Sequence, residues 1–123
     1  MEKNNELILI PKCEKYIEYM LQVLIKLPRI EKFNIGNEYK ISMYEILEYV
    51  LYITKIQERE RLNCINKIDA KLNCQRIYLR IMHKNRWIDE KKFNIAISKI
   101  AEIGKIVGGL VKYYAKNYKE WIW

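Results

Sequence analysis

Four glycines and two prolines in 123 residues leave too few turn-formers for a chain of hairpins, which needs them at every reversal. The apolar residues follow a different period. Tyr16, Met20, Val23, Leu24 and Leu27 recur at three- and four-residue intervals, as do Tyr39, Met43, Ile46, Val50 and Ile53. That spacing lines one face of an α-helix. The sequence therefore predicts an all-α chain. Half of it is hydrophobic, enough for a packed core, and 123 residues make one domain.

Four helices are predicted. The first runs Pro11–Leu27, with Pro11 in the first turn, where a missing N–H costs nothing, and Pro28 ending it. Arg29–Gly36 is an irregular connection that Phe33 and Ile35 pin to the core, with Gly36 and Asn37 as turn residues. The second helix runs Asn37–Ile56, and polar Gln57–Glu60 makes a break or a bend. The third covers Arg61–Lys84, and Asn85–Ile88 is a turn. Asp89 caps the fourth, Glu90–Lys116. Residues 1–10 are read as an N-terminal extension, 11–116 as the bundle and 117–123 as a frayed aromatic tail. Trp121 and Trp123 in that tail are open to a partner. Short links between long helices read as an antiparallel, up-down-up-down four-helix bundle.

Three of the helices carry more apolar surface than one bundle buries. On the third, Ile65, Ile68, Leu72, Leu79 and Met82 form the core stripe, and Ala70, Cys74, Ile77 and Ile81 form a second. On the fourth, Phe93, Ala96, Ile100, Gly104, Val107 and Val111 face the core, while Ile95, Ile106 and Tyr113 sit away from it. The second helix also places Tyr44 and Leu51 off its core face. A monomeric bundle buries one stripe per helix, so aligned extra stripes predict burial between copies in a homo-oligomer. The same residues can also stand alone on a monomer's surface. Tyr39, Tyr49 and Tyr78 are assigned to core or interface.

The charge is one-sided. Residues 1–58 carry 8 basic and 9 acidic side chains, whereas residues 59–123 carry 15 and 6. A field of this kind favours polyanions, nucleic acid before an anionic membrane surface. Between the stripes of the third helix lies a polar face of Asn66, Asp69, Asn73, Arg76, Arg80 and Lys84. Arg76, Arg80 and Lys84 stack at four-residue intervals, and Arg and Asn suit phosphate and sugar contacts. Lys67 and Lys71 form a second such pair, and Arg59, Arg61 and Arg86 extend the charge at the helix ends. All nine residues other than Asn66 and Asp69 are candidate nucleic-acid contacts; a solvated face is the plainer alternative.

Little else suggests chemistry. Cys13, Cys64 and Cys74 are odd in number and form no C-x-x-C pair, and one His completes no familiar zinc site with them. They are read as buried thiols, and neither metal nor cofactor is expected. No Ser/His/Asp set, P-loop or paired-carboxylate signature appears. Arg76 and His83 fit the loose R-x(4–6)-H pattern of helical HEPN ribonucleases, in which the His acts as acid and base and the Arg holds phosphate. Ile77 stands where those enzymes place a polar residue. No apolar run approaches the ~20 residues of a membrane span, and Leu7–Ile10 lacks the flanks of a signal peptide, which points to the cytosol.

Four pieces carry a family resemblance. They are Leu27-Pro28-Arg29-Ile30-Glu31-Lys32-Phe33-Asn34-Ile35-Gly36; Met43-Tyr44-Glu45-Ile46-Leu47-Glu48; Ile68-Asp69-Ala70-Lys71-Leu72 with Arg76 and Leu79-Arg80-Ile81; and Trp87-Ile88-Asp89 with Ile103-Gly104-Lys105-Ile106-Val107-Gly108-Gly109-Leu110. Their order resembles the accessory variability determinant (Avd) family of diversity-generating retroelements over residues 12–115. The closing IGKxxGG-type piece is shared with four-helix proteins encoded by intervening sequences in ribosomal RNA genes. Those relatives carry an "NIAEG"-like segment after the second helix that this chain lacks. The resemblance implies a non-enzymatic four-helix protomer in a pentameric barrel, bound to nucleic acid and to the element's reverse transcriptase. With a structured template RNA, such proteins support the priming and synthesis of mutagenised cDNA. It places basic residues at Arg76 and Arg80.

Overall fold

The computed structural model describes the backbone of residues 2–122 and the side chains of residues 5–117. Every described element is helical: α1 (Glu2–Leu24), α2 (Arg29–Phe33), α3 (Ile35–Ile53), α4 (Glu58–Lys84) and α5 (Glu90–Ile122). Four of them are long, and each long helix packs against two others: α1 against α3 and α5, and α4 against α3 and α5. The periodic positions explain the arrangement. Tyr39, Met43, Ile46, Val50 and Ile53 of α3 are buried, as are Ile65, Ile68, Leu72, Leu79 and Met82 of α4. They meet Leu9, Cys13, Tyr16, Met20 and Leu24 of α1 and Ala96, Ile100, Val107 and Leu110 of α5 in one core.

The first helix corrects the sequence reading. α1 starts at Glu2, and Pro11 lies in its interior rather than its first turn. An interior proline removes a backbone bond and costs about 3 kcal/mol. Burial offsets that cost here, because Leu9 is fully buried and Glu6, also buried, takes a hydrogen bond from Arg61 Nη1 at 3.2 Å and another from the Tyr114 hydroxyl. These partners lie 55 and 108 residues away, so no local pattern announces them.

The connection after α1 also differs. Arg29–Phe33 forms a turn of helix with no buried residue, and Phe33 is 74% exposed rather than pinned to the core. Ile35 does pack against the core. Gly36 and Asn37 lie inside α3 rather than in a turn. A Cβ on Gly36 would sit 3.1 Å from the Glu31 carbonyl oxygen, so glycine lets α2 and α3 approach closely. α3 ends at Ile53, three residues before the expected end, and α4 starts at Glu58, three before the expected start.

The last connection is as read. Asp89 Oδ1 accepts the Lys92 backbone N–H at 2.8 Å, the N-cap bond of α5. At the end of α4, the Trp87 N–H bonds the Met82 carbonyl at 2.9 Å and the Arg86 N–H bonds the His83 carbonyl at 3.0 Å. This is a Schellman ending with Arg86, at φ 62°, in the position glycine usually takes. α5 continues through Ile122, past the expected end at Lys116. The side chains of Trp121 and Trp123 lie outside the described residues.

A polar chain threads the core. The Tyr16 hydroxyl donates to Gln75 Oε1 at 2.6 Å and meets the Tyr39 hydroxyl, while Gln75 Nε2 donates to Ser42 Oγ at 2.9 Å. All four residues are buried. Burial pushes both tyrosine hydroxyls well above their ordinary pKa, so they stay neutral and available as donors. The network fixes α1, α3 and α4 in register, because a shift of one turn would strand its members without partners.

Candidate nucleic-acid interface

The nine candidate contact residues fall into two groups. Arg59, Lys67, Asn73, Arg80, Lys84 and Arg86 are exposed. Arg61, Lys71 and Arg76 are half-buried and already engaged. Arg61 donates from Nη1 to Glu6 and from Nε to the Ile56 carbonyl at 3.4 Å. Lys71 Nζ lies 3.0 Å from Glu45 Oε1. Arg76 donates to Asn73 Oδ1 and lies across α5 at Gly104, where an added Cβ would come within 2.6 Å of Nη2. Gly104 therefore makes room for an arginine rather than for a second backbone. Of the stacked triplet, Arg80 and Lys84 point their charge to solvent, and Arg76 divides its charge between Asn73 and the α4–α5 seam.

The apolar candidates divide as well. Ala70, Cys74, Ile77 and Ile81 of α4 are all exposed, Ile77 at 47% and Ile81 at 40%. Ala70 and Cys74 border a shallow groove of about 270 Å³ whose other wall is α3, with Ile41 and Glu38. Tyr44 and Leu51 of α3 are exposed as expected from their place on the wheel. Ile95, Ile106 and Tyr113 of α5 are half-buried, and Ile106 and Tyr113 pack against the core of their own chain. Gly108 and Gly109 face open space: a Cβ on either would meet nothing within 4 Å.

The thiols also split. Cys13 and Cys64 are buried, and burial pushes the Cys13 thiol up to about 12. Cys74 is exposed, so the expectation of three buried thiols fails there, because its place on α4 faces away from the core. His83 is half-buried and stacks on Phe93 with ring centroids 4.3 Å apart and planes 12° apart. Among the described residues no group of three or more His, Cys, Asp or Glu could hold a metal ion, and no helix is long and apolar enough to cross a membrane.

One basic patch lies where the sequence reading did not look. Lys12 and Lys15 of α1 and Lys99 of α5 line a groove of about 430 Å³ with Glu102, which is bonded to Lys12. Lys99 Nζ also lies 5.4 Å above the Tyr19 ring. Counting charge by halves of the chain hid this patch, because glutamates on other faces of α1 offset its lysines. A face-by-face count shows Lys12 and Lys15 together on α1, but only the packing of α5 brings Lys99 beside them.

With this geometry on the page, comparison with known proteins decides the family. The bAvd-like family model matches residues 7–114. The chain belongs to the bAvd-like family. No curated protein and no solved structure gives a significant match. The matched span runs from Leu7 of α1 to Tyr114 of α5, so it takes in α2, α3 and α4 entire, including the outward α4 face, together with most of α1 and the Gly108-Gly109 pair of α5.

Proposed function

We propose that this bAvd-like protein is a non-catalytic, nucleic-acid-binding accessory subunit of a retroelement reverse transcriptase, acting in the cytoplasm as a homo-oligomer, a pentamer by family resemblance. Its partners are the polymerase and a structured template RNA or its cDNA. One observation carries the reading: the outward side of α4 bears exposed cations, Arg80 and Lys84, beside exposed apolar residues, Ile77 and Ile81. Such a helix suits a protein that meets a polyanion on one flank and another copy of itself on the other.

Further features support the details. Glu6 with Tyr114 and Lys12 with Glu102 pair ascending numbers on α1 with descending numbers on α5. Glu45 with Lys71 and Tyr49 with Cys64 do the same for α3 and α4. These pairings support an antiparallel up-down-up-down bundle. Gly108 and Gly109 lie inside α5, where each costs about 0.5–1 kcal/mol relative to alanine, with no close contact in the single chain to require them. A close approach of a second copy supplies a reason. His83, stacked on Phe93, reads as a packing residue rather than an acid–base group.

Fluorescence anisotropy of labelled RNA against salt tests the binding. Affinity falls with a log–log slope of about −3 or steeper if several phosphates are neutralised, at roughly −0.7 each for a single strand. Arg80→Glu with Lys84→Glu flattens the slope and leaves the oligomer intact. Arg76 is a poorer target, since its loss also disturbs the α4–α5 seam. An affinity that ignores salt, or a slope unchanged in the double variant, refutes this placement. Metal-free RNA cleavage that disappears in His83→Ala would replace the binding reading with a ribonuclease.

A further inference from the structure

We propose that the groove between the end of α3 and the start of α4 takes an unpaired nucleotide, base inward, from a single-stranded stretch of the bound nucleic acid. The groove is open on one side and offers about 620 Å³, within the ~300–1,000 Å³ of small-ligand sites. Tyr49 and Tyr52 of α3 form one wall, and Arg59, Asn63, Asn66 and Lys67 of α4 the other. The inference rests on the nucleic-acid reading above and names the part of the ligand that this groove recognises.

Each element of the groove suits one part of a nucleotide. Tyr52 lines the groove and is 55% exposed, so an aromatic ring is accessible there, and every base has a π-face to stack on it. Asn63 and Asn66 are exposed amides, each able both to donate and to accept, as the edges of an unpaired base require. Arg59, Asn63 and Lys67 follow one another at four-residue spacing along α4, so a cation stands on each side of the amide. Glu60 also borders the groove, and two cations against one carboxylate leave it net positive, as a phosphate requires.

Side chains of α4 hold the Tyr49 end of the wall. Lys67 Nζ lies 5.8 Å and Lys71 Nζ 5.9 Å from the Tyr49 ring centroid, and the Cys64 thiol donates to the Tyr49 carbonyl at 3.6 Å. Tyr49 thus fixes the inner end while Tyr52 stays free to receive a ring. A duplex offers no such base, because its bases are stacked and paired, so the groove discriminates for single-stranded segments. Outside it, the exposed cations of α4 bind single and double strands alike through phosphates.

A uridine-rich strand carrying 2-aminopurine, titrated with the full-length protein, tests this directly. Aminopurine emission is bright in such a poorly stacked strand and falls when the base stacks on tyrosine. The expected result is strong quenching with wild type and little with Tyr52→Ala. That variant loses roughly tenfold in affinity for the single strand, the scale of one base–aromatic stack, and keeps its affinity for the matching duplex. Tyr52→Phe keeps the ring and restores both signals. Helicity by circular dichroism confirms that each variant folds. Salt-dependent anisotropy with unchanged aminopurine emission would overturn the groove assignment and leave the nucleic-acid reading standing. Equal losses on single strand and duplex in Tyr52→Ala would also overturn it. Absence of binding by anisotropy at low salt would overturn both.

Discussion

α4 and α5 carry the same kind of pattern and resolve it in opposite ways. Each has a core stripe and a set of apolar residues away from it. On α4 the second set, Ala70, Cys74, Ile77 and Ile81, stands in solvent in the single chain. On α5 two of the three off-stripe residues, Ile106 and Tyr113, lean back onto their own core, and Ile95 is half-buried. The two helices begin differently too. α5 starts on a side-chain cap from Asp89, whereas Gln57 gives α4 none. The off-stripe side chains of α5 thus find cover largely within one chain, and its Gly108-Gly109 face is left open, while α4 leaves apolar side chains and charge for other molecules. A helical wheel measures angle and not depth, so it reports both cases as a second stripe.

The largest expected effect breaks this contrast outright. Ile106→Glu puts a carboxylate against the core and lowers folding stability by about 2–4 kcal/mol, read as an earlier chemical-denaturation midpoint. Ile77→Glu leaves the fold of the single chain alone and instead reduces the mass seen by light scattering after size exclusion. Equal destabilisation by both, or a wild type already at the mass of one 123-residue chain, would erase the distinction.

Next comes the inward side of α4. Gln75→Leu keeps the volume close but strands Ser42 and removes the acceptor of Tyr16, at about 1–3 kcal/mol for buried groups left unpaired. A neutral result in urea melts would show that the polar chain contributes specificity and no stability.

Helix ends give smaller changes of opposite sign. Asp89→Ala removes the α5 cap and lowers stability by about 1 kcal/mol. Arg86→Gly at the close of α4 relieves a left-handed residue and raises stability by about 1 kcal/mol, while removing one cation. Thermal melts that move both variants in one direction would contradict the assigned roles of the two ends.

The mildest measurement is chemical. In a monomer a thiol reagent finds Cys74 quickly, and in an oligomer that covers the α4 stripe Cys74 is protected until Ile77→Glu exposes it. Cys13, raised to about 12 by burial, stays protonated and slow at pH 9 in both. Because the unfolded chain loses that proton near its ordinary value of 9.0 and the folded chain does not, folding stability falls as pH rises above about 9. Fast labelling of Cys13 in the native protein would contradict its burial.

Much of the bundle was legible in the order of residues. The buried sets on α3 and α4, the turn after Lys84 and the Asp89 cap follow from spacing and from short-range hydrogen bonding, which a sequence displays directly. The candidate site was legible only in part. Arg80 and Lys84 are exposed, whereas the engagement of Arg61 with Glu6 and of Arg76 with Gly104 depends on partners more than twenty residues away. The lysine patch of α1 and α5 and the Tyr52 groove were missed for the same reason, since each needs two helices to exist.

The sequence by itself determined that this chain is helical, where its long helices turn inward and that its charge is concentrated after residue 58. Those properties depend on period and composition, which are local or additive. Only the tertiary structure decided that Pro11 sits inside a helix, that Phe33 faces solvent and that α5 leans Ile106 and Tyr113 of its second stripe onto its own core while α4 leaves its second stripe exposed. Such outcomes depend on which surfaces meet. Burial against distant residues can outweigh the local cost of a proline, and a position is exposed only when no neighbouring element covers it.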